Sequence, residues 1–304
     1  MSQQDVKDRI SSVENIEKIT RAMQMVAAAR LRKAEQRIEA LRPYAKAIRR
    51  MTREAAEAAG NMPDVPILSE HDSVDTVGML LITGDRGLAG AFNSQIVRRG
   101  IQAGGDHEHD GKSIAWYASG SKGASSLAFR GKKVQESYTG FTDRPAYADA
   151  REIASDLMSA YIDGEVDRVE IIYNGYISPL TQKVTHETLL PLQEASIIED
   201  EDEDEDADEE DDDGQDGKRA LVEYEPDAEE ILKRLVPDYV EISIYRALLE
   251  STASEHGARM TAMRSASENA KELLDDLTLE MNRARQAEIT QEIMEVVAGA
   301  EAIT

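Results

Sequence analysis

The strongest chemical signal in the chain is Thr83-Gly84-Asp85-Arg86-Gly87-Leu88-Ala89-Gly90, where three glycines follow an apolar run and precede a helical pattern. Glycine-rich turns at the mouth of a helix suit phosphate, because backbone N–H groups and the positive helix end converge on one point. The spacing fits neither phosphate motif. Glycines at 84, 87 and 90 match neither GxGxxG nor a P-loop, and no Lys-Ser or Lys-Thr follows Gly90. A structural tight turn is favoured over a nucleotide site, since glycine supplies backbone conformations that other residues avoid.

The other candidates are weaker. His107-Glu108-His109-Asp110 has metal-ligand residue types, yet it follows Gly104-Gly105 in a polar stretch with no second ligand cluster, so a solvated loop is expected. Asp275 and Asp276 are adjacent carboxylates that point about 100° apart on a helix and cannot face each other as an acid and base. His256 lies on an apolar seam, where packing or a hydrogen bond is the favoured role. No catalytic constellation, metal site or cofactor site is expected.

The elements around these residues follow from composition and periodicity. The 304 residues contain no cysteine, which removes disulfides, thiol nucleophiles and thiolate zinc sites, and only 5% are aromatic. No apolar run reaches the roughly 20 residues of a membrane span, and the first residues lack a secretory pattern, so a soluble chain is expected. The formal charge of −25 is unevenly distributed: residues 1–59 carry +5, residues 241–304 carry −6, and 199–216 alone carry −15. General nucleic-acid affinity is therefore not expected.

Residues 6–55 read as one helix, with Ala27, Leu31, Ala34, Ile38, Leu41, Ala45, Ile48, Thr52 and Ala55 at heptad spacing for one partner helix. Pro43 predicts a kink, and Gly60-Asn61-Met62-Pro63 a stop. Between 75 and 193, strand-like runs at 77–83, 113–117 and 166–173 alternate with helical stretches near 91–103, 121–130 and 146–162, predicting a mainly parallel Rossmann-like sheet with a last strand near 180–187. The tract 199–213 is acidic except at Ala207 and reads as a disordered insertion. Helical periodicity resumes after Pro226, placing Tyr245, Leu249, Thr252, His256, Met263, Ala270, Leu273, Leu277, Met281 and Ala284 on a seam. The fold class is thus α/β plus coiled coil. Two terminal helices of similar length, about 80 to 90 Å each at roughly 1.5 Å per residue, form an antiparallel hairpin around an inserted α/β domain. The expected divisions are 1–60, 75–193, 199–217 and 226–304. From Ile289 onward, apolar residues spread around much of the helix circumference, and one partner helix cannot cover them.

At the sequence level the chain resembles the gamma subunits of F-type ATP synthases. The resemblance rests on ITQEIMEVVAGAEA (289–302), ITRAMQMVAAARLRK (19–33), DRGLAGAFN (85–93), LESTASEH (249–256) and ARQAEIT (284–290), in the family's order. It implies a rotor without catalytic residues of its own, whose bent coiled coil turns inside a ring of alpha and beta subunits. The α/β domain would sit outside, against epsilon and the c-ring. Association with the cell membrane, peripherally on its cytoplasmic side, would come only through the complex. The resemblance also implies that Met23, Arg30, Arg32 and Lys33 face the acidic lever region of beta. Arg285, Gln286 and Thr290 would meet a beta loop, and the tip with Ile293, Val296, Val297 and Ile303 would turn in an apolar sleeve. Two departures stand out. Ala89 replaces a cysteine, which makes plant-type thiol regulation impossible, and the acidic tract exceeds the usual connection in length. Two rival readings are a nucleotide-binding α/β enzyme with a coiled-coil arm and a free-standing coiled-coil scaffold.

Overall fold

The computed structural model describes residues 3–59, 66–68, 70–192 and 228–301. The stop at 60–63, the acidic tract and Ile303 lie outside the described residues. The elements in order are α1 (Gln3–Ala59), β1 (Thr76–Ile82), α2 (Phe92–His109), β2 (Ser113–Ser119), α3 (Ser121–Phe129), β3 (Val134–Tyr138), α4 (Tyr147–Ile162), β4 (Arg168–Ser178), β5 (Thr181–Leu190) and α5 (Ala228–Glu301). They divide into two compact units. One comprises Met1–Arg30, Leu88–Gly90 and His256–Thr304; the other comprises Leu31–Gly87 and Ala91–Glu255.

The first unit is an antiparallel pair of helical segments. Along α1, Val6 is buried, Ile10, Val13 and Glu17 are half-buried, and Thr20 and Ala27 are buried again, steps of three and four that place one stripe on the partner. The seam thus begins a full three heptads before the stretch that the sequence pattern brings out, because polar and small residues such as Glu17 and Thr20 occupy seam positions. On α5 the stripe runs through Met263, Ala270, Leu274, Leu277, Met281 and Ala284. Leu274 belongs to it and Leu273, at 43% exposure, does not. The spacing from Ala270 to Leu277 admits either residue, and the four-then-three step decides for Leu274.

The helices are unequal, contrary to the expectation from sequence. α1 has 57 residues and α5 has 74, roughly 85 Å and 110 Å at about 1.5 Å per residue. The difference arises because α5 starts at Ala228 and continues through Pro237. α1 likewise continues through exposed Pro43, which leaves the Glu39 carbonyl without its helical donor.

In the second unit a five-stranded sheet has the order β3-β2-β1-β4-β5. β1 pairs in parallel with β2 and β4, β2 with β3, and β5 closes the sheet antiparallel to β4. The sequence misses β3, because VQESY is an edge strand with three exposed residues in its middle and has no apolar run to announce it. Alternation along β1 builds three layers. Leu81 packs on Gly100 and Met79 on Gly104 of α2, while Leu80 and Ile82 join Ile153, Leu157 and Tyr161 of α4 on the opposite face. That second core also takes in Ala45 and Ile48 of α1 and Val236, Val240, Ile244, Ala247 and Leu248 of α5. The heptad face of α1 beyond Leu31 therefore serves a core shared with the sheet instead of a lone partner helix.

Candidate functional site

The glycine-rich turn is held by its own chain. Thr83 Oγ1 donates to the Ser119 carbonyl at 2.9 Å and accepts from Gly123 N at 2.9 Å. Asn93 Oδ1 accepts from Gly84 N at 2.8 Å. The Asp85 carboxylate accepts from Ser121 N (2.9 Å), Gly140 N (2.8 Å) and Thr142 Oγ1 (3.0 Å). Ser121, Lys122, Gly123 and Ala124 all donate their backbone N–H groups within the chain, so the start of α3 has none left for an anion. The Asp85 carboxylate thus occupies the N-terminal end of α3. A second one lies close by: a Cβ on Gly84 would come within 2.7 Å of the Glu255 carboxylate, which is 2% exposed. The turn is thus lined by two carboxylates, Asp85 and Glu255, in an electrostatic setting unfavourable to a phosphate.

The crevice beside this turn is also filled. In open α/β sheets ligands bind beyond the carboxyl ends of the strands where the strand order reverses, here between β1 and β4. Residues 251–254 of α5 lie there. Ser251 Oγ donates to the Ile82 carbonyl at 3.3 Å, Thr252 Oγ1 to Thr142 at 2.9 Å, and Ser254 Oγ to Asn174 at 3.0 Å. Sequence reasoning places Thr252 on the helical seam and does not single out Ser251 or Ser254. Three Ser or Thr residues in four consecutive helical positions are the signal that marks them, since a solvent-facing helix gains nothing from that run.

The histidines fall into place differently from expectation. His107 and Glu108 end α2 and are not in a solvated loop. His107 Nε2 lies 3.0 Å from Glu170, and His186 Nε2 lies 2.7 Å from the same carboxylate. The Arg99 guanidinium lies 3.3 Å from His186 Nδ1. Burial would raise the Glu170 pKa, but the hydrogen bonds and charge of His186 and His107 bring it down to about 2. The cluster is a closed polar network joining α2, β4 and β5. Among the described residues no group of His, Cys, Asp or Glu is arranged to hold a metal ion. His256 is 1% exposed with Arg259 at 3.3 Å from its Nδ1, in keeping with a packed, hydrogen-bonded role, and Asp275 and Asp276 are exposed.

Of the residues marked for partner contact, Met23, Arg30, Arg285, Gln286, Thr290 and the tip belong to the first unit, and Arg32 and Lys33 to the second. Met23 and Arg30 are half-buried, while Arg32 and Lys33 are exposed. Arg285, Gln286 and Thr290 are exposed, and the Thr290 hydroxyl donates to the Gln286 carbonyl at 2.8 Å. From Arg285 to Ala298 every residue of α5 is exposed, including Ile293 (57%), Met294 (64%), Val296 (72%) and Val297 (48%). Among the described residues nothing covers these apolar side chains.

A Rossmann-like domain whose strand-end crevice is filled by a segment of α5, and a separate unit of paired terminal helices with an exposed apolar end, are the architecture of a central-stalk protein. A family model for ATP synthase matches residues 2–303. The chain is 42% identical to the ATP synthase gamma chain of Rubrobacter xylanophilus over 99% of its length and 98% of that protein's. It is equally identical to that of Streptomyces avermitilis over 98% and 94%. The central stalk of Tetrahymena thermophila mitochondrial ATP synthase superposes with a TM-score of 0.59 at 26% identity, covering 82% of this chain and 99% of that one. A chain of the Euglena gracilis enzyme shares the fold at 18% identity and a TM-score of 0.67. The chain belongs to the ATP synthase gamma-chain family.

Proposed function

We propose that this chain is the central-stalk rotor of a two-sector ATP synthase, coupling ion-driven rotation of a membrane c-ring to ATP formation in the beta subunits. The observation that carries the reading is the end of α5, exposed from Arg285 onward and apolar at Ile289, Ile293, Met294, Val296 and Val297. Those apolar side chains cover an arc of about 160° on a helix end exposed all round, and such surface needs an enclosing partner, which a ring of alpha and beta subunits provides. ATP is made in the beta subunits, and the chain contributes no catalytic residue; rotation presents a different side of the shaft to each beta subunit in turn. Arg30, Arg32 and Lys33 present positive charge to the acidic lever region of beta. Met23, Arg285, Gln286 and Thr290 meet neighbouring beta surfaces. The α/β domain sits outside the ring, against epsilon and the c-ring.

Membrane attachment is peripheral, on the cytoplasmic side, and comes through the complex; no helix among the described residues is long and apolar enough to cross a membrane. The test is native co-purification of the full chain. Recovery of alpha, beta and epsilon subunits in fixed ratio is expected, and their absence from intact preparations refutes the rotor reading.

A further inference from the structure

A smooth helix packed by apolar contacts alone has no strong preference for one rotational setting about its own axis, because such contacts are non-directional. A shaft that delivers torque needs directional ones. Within the α/β unit the α5 residues from Ser251 to Glu255 are all buried, and the three hydroxyls in that run point outward in different directions. Ser251 reaches the last carbonyl of β1, Thr252 the carbonyl of Thr142 in the connection from β3 to α4, and Ser254 the carbonyl of Asn174 in β4. All three side chains are at most 6% exposed. Thr252 also lies 2.7 Å from the Leu248 carbonyl of its own helix, so its proton is shared between the helix and the sheet side. Asn174 in turn donates through Nδ2 to the Phe92 carbonyl at 3.4 Å, which carries the contact from β4 to the start of α2.

We infer that Ser251, Thr252 and Ser254 form a torque key, three positioning residues that lock the rotational setting of α5 against β1, β4 and the loop at Thr142. The inference rests on the rotor reading and deepens it, since it names where force taken up by the α/β domain enters the shaft. Chemistry elsewhere in the fold agrees. The key occupies the crevice that other open α/β sheets keep for a ligand, so this fold spends its most polar strand ends on gripping a helix. Buried hydroxyls bonded to carbonyls are costly to leave unmatched, which makes the aligned setting the favoured one and the rotated settings unfavourable.

The test uses the full-length chain assembled with alpha and beta subunits. The chain has no cysteine, so Phe129→Cys at a 90% exposed position of α3 gives one attachment point for a bead on the α/β domain. The angular spread of the bead during the pauses of ATP-driven rotation reads the stiffness of the joint. The combined Ser251→Ala, Thr252→Val, Ser254→Ala variant is expected to widen the angular variance about twofold or more, as buried directional contacts are lost. Keeping a hydroxyl at the centre of the key, with Thr252→Ser in place of Thr252→Val, is expected to recover part of the narrowing. An assembled triple variant with unchanged spread overturns the key. If the triple variant does not assemble, Thr252→Val alone is measured by the same criterion. Failure of the unaltered chain to assemble with alpha and beta refutes the rotor reading instead, so the two failures are distinct.

Discussion

A Cβ placed on Gly120 would collide with the carbonyl oxygen of Thr83, at a backbone φ of 92° that L side chains rarely adopt. The glycine is needed twice over, for its conformation and for the close approach of two strand ends. Gly131 has a similar φ of 73° with nothing near its missing side chain. Gly120→Ala is therefore expected to destabilise the chain by more than about 2 kcal/mol, and Gly131→Ala by about 1 kcal/mol. Chemical unfolding of the full chain checks both, and equal costs would show that the collision contributes nothing.

The Glu170 network makes a pH prediction. Its pKa is near 2 when folded, against an ordinary value of 4.5. The unfolded state therefore binds the proton first as pH falls, so the stabilisation is present above about pH 4.5 and is lost progressively toward pH 2. Glu170→Gln is expected to cost about 1 to 3 kcal/mol at pH 7, with the gap to the parent chain narrowing below pH 4.5. Unfolding curves across that range test it; a constant gap would show that the carboxylate does not titrate with folding.

Reversal of Arg30, Arg32 and Lys33 to Glu is expected to lower ion-driven ATP synthesis roughly threefold to fivefold, a change of under about 1 kcal/mol that suits partly exposed charges. Helical content by circular dichroism should stay unchanged. Unaltered synthesis would remove these side chains from the drive surface.

Ile293→Asp and Val296→Asp are expected to leave the unfolding of the isolated chain within about 0.5 kcal/mol of the parent, because both side chains are already exposed. In the assembled enzyme the same changes bury a charge in an apolar sleeve and should lower the yield of complex or its turnover. Full activity in both variants would show that the tip is not enclosed.

Glu35 and Tyr176 are joined by a hydrogen bond between α1 and β4, and Arg37 donates to the Pro145 carbonyl at 3.2 Å. Neither pairing is readable from the chain, because partners 141 and 108 residues apart leave no periodic trace. The heptad stripes of α1 and α5 are readable, since Ala27, Leu31 and Ala34, or Met263, Ala270 and Leu277, repeat within the reach of local geometry. The strands β1, β2 and β4 announce themselves through apolar runs buried on both faces, whereas β3 is polar and escapes notice.

The glycine-rich turn divides these two kinds of information. Residue spacing alone argued against a phosphate loop at Gly84, Gly87 and Gly90, and it also marked the end of α5 as too apolar for one partner. Only the tertiary structure placed Asp85 on the start of α3 and brought Ser251 to the end of β1, Thr252 to the loop at Thr142 and Ser254 to Asn174 of β4. Local pattern reports which face of an element is apolar. What fills a crevice depends on which distant segment the folded chain brings there, and a hydroxyl buried against a carbonyl has no periodic signature of its own.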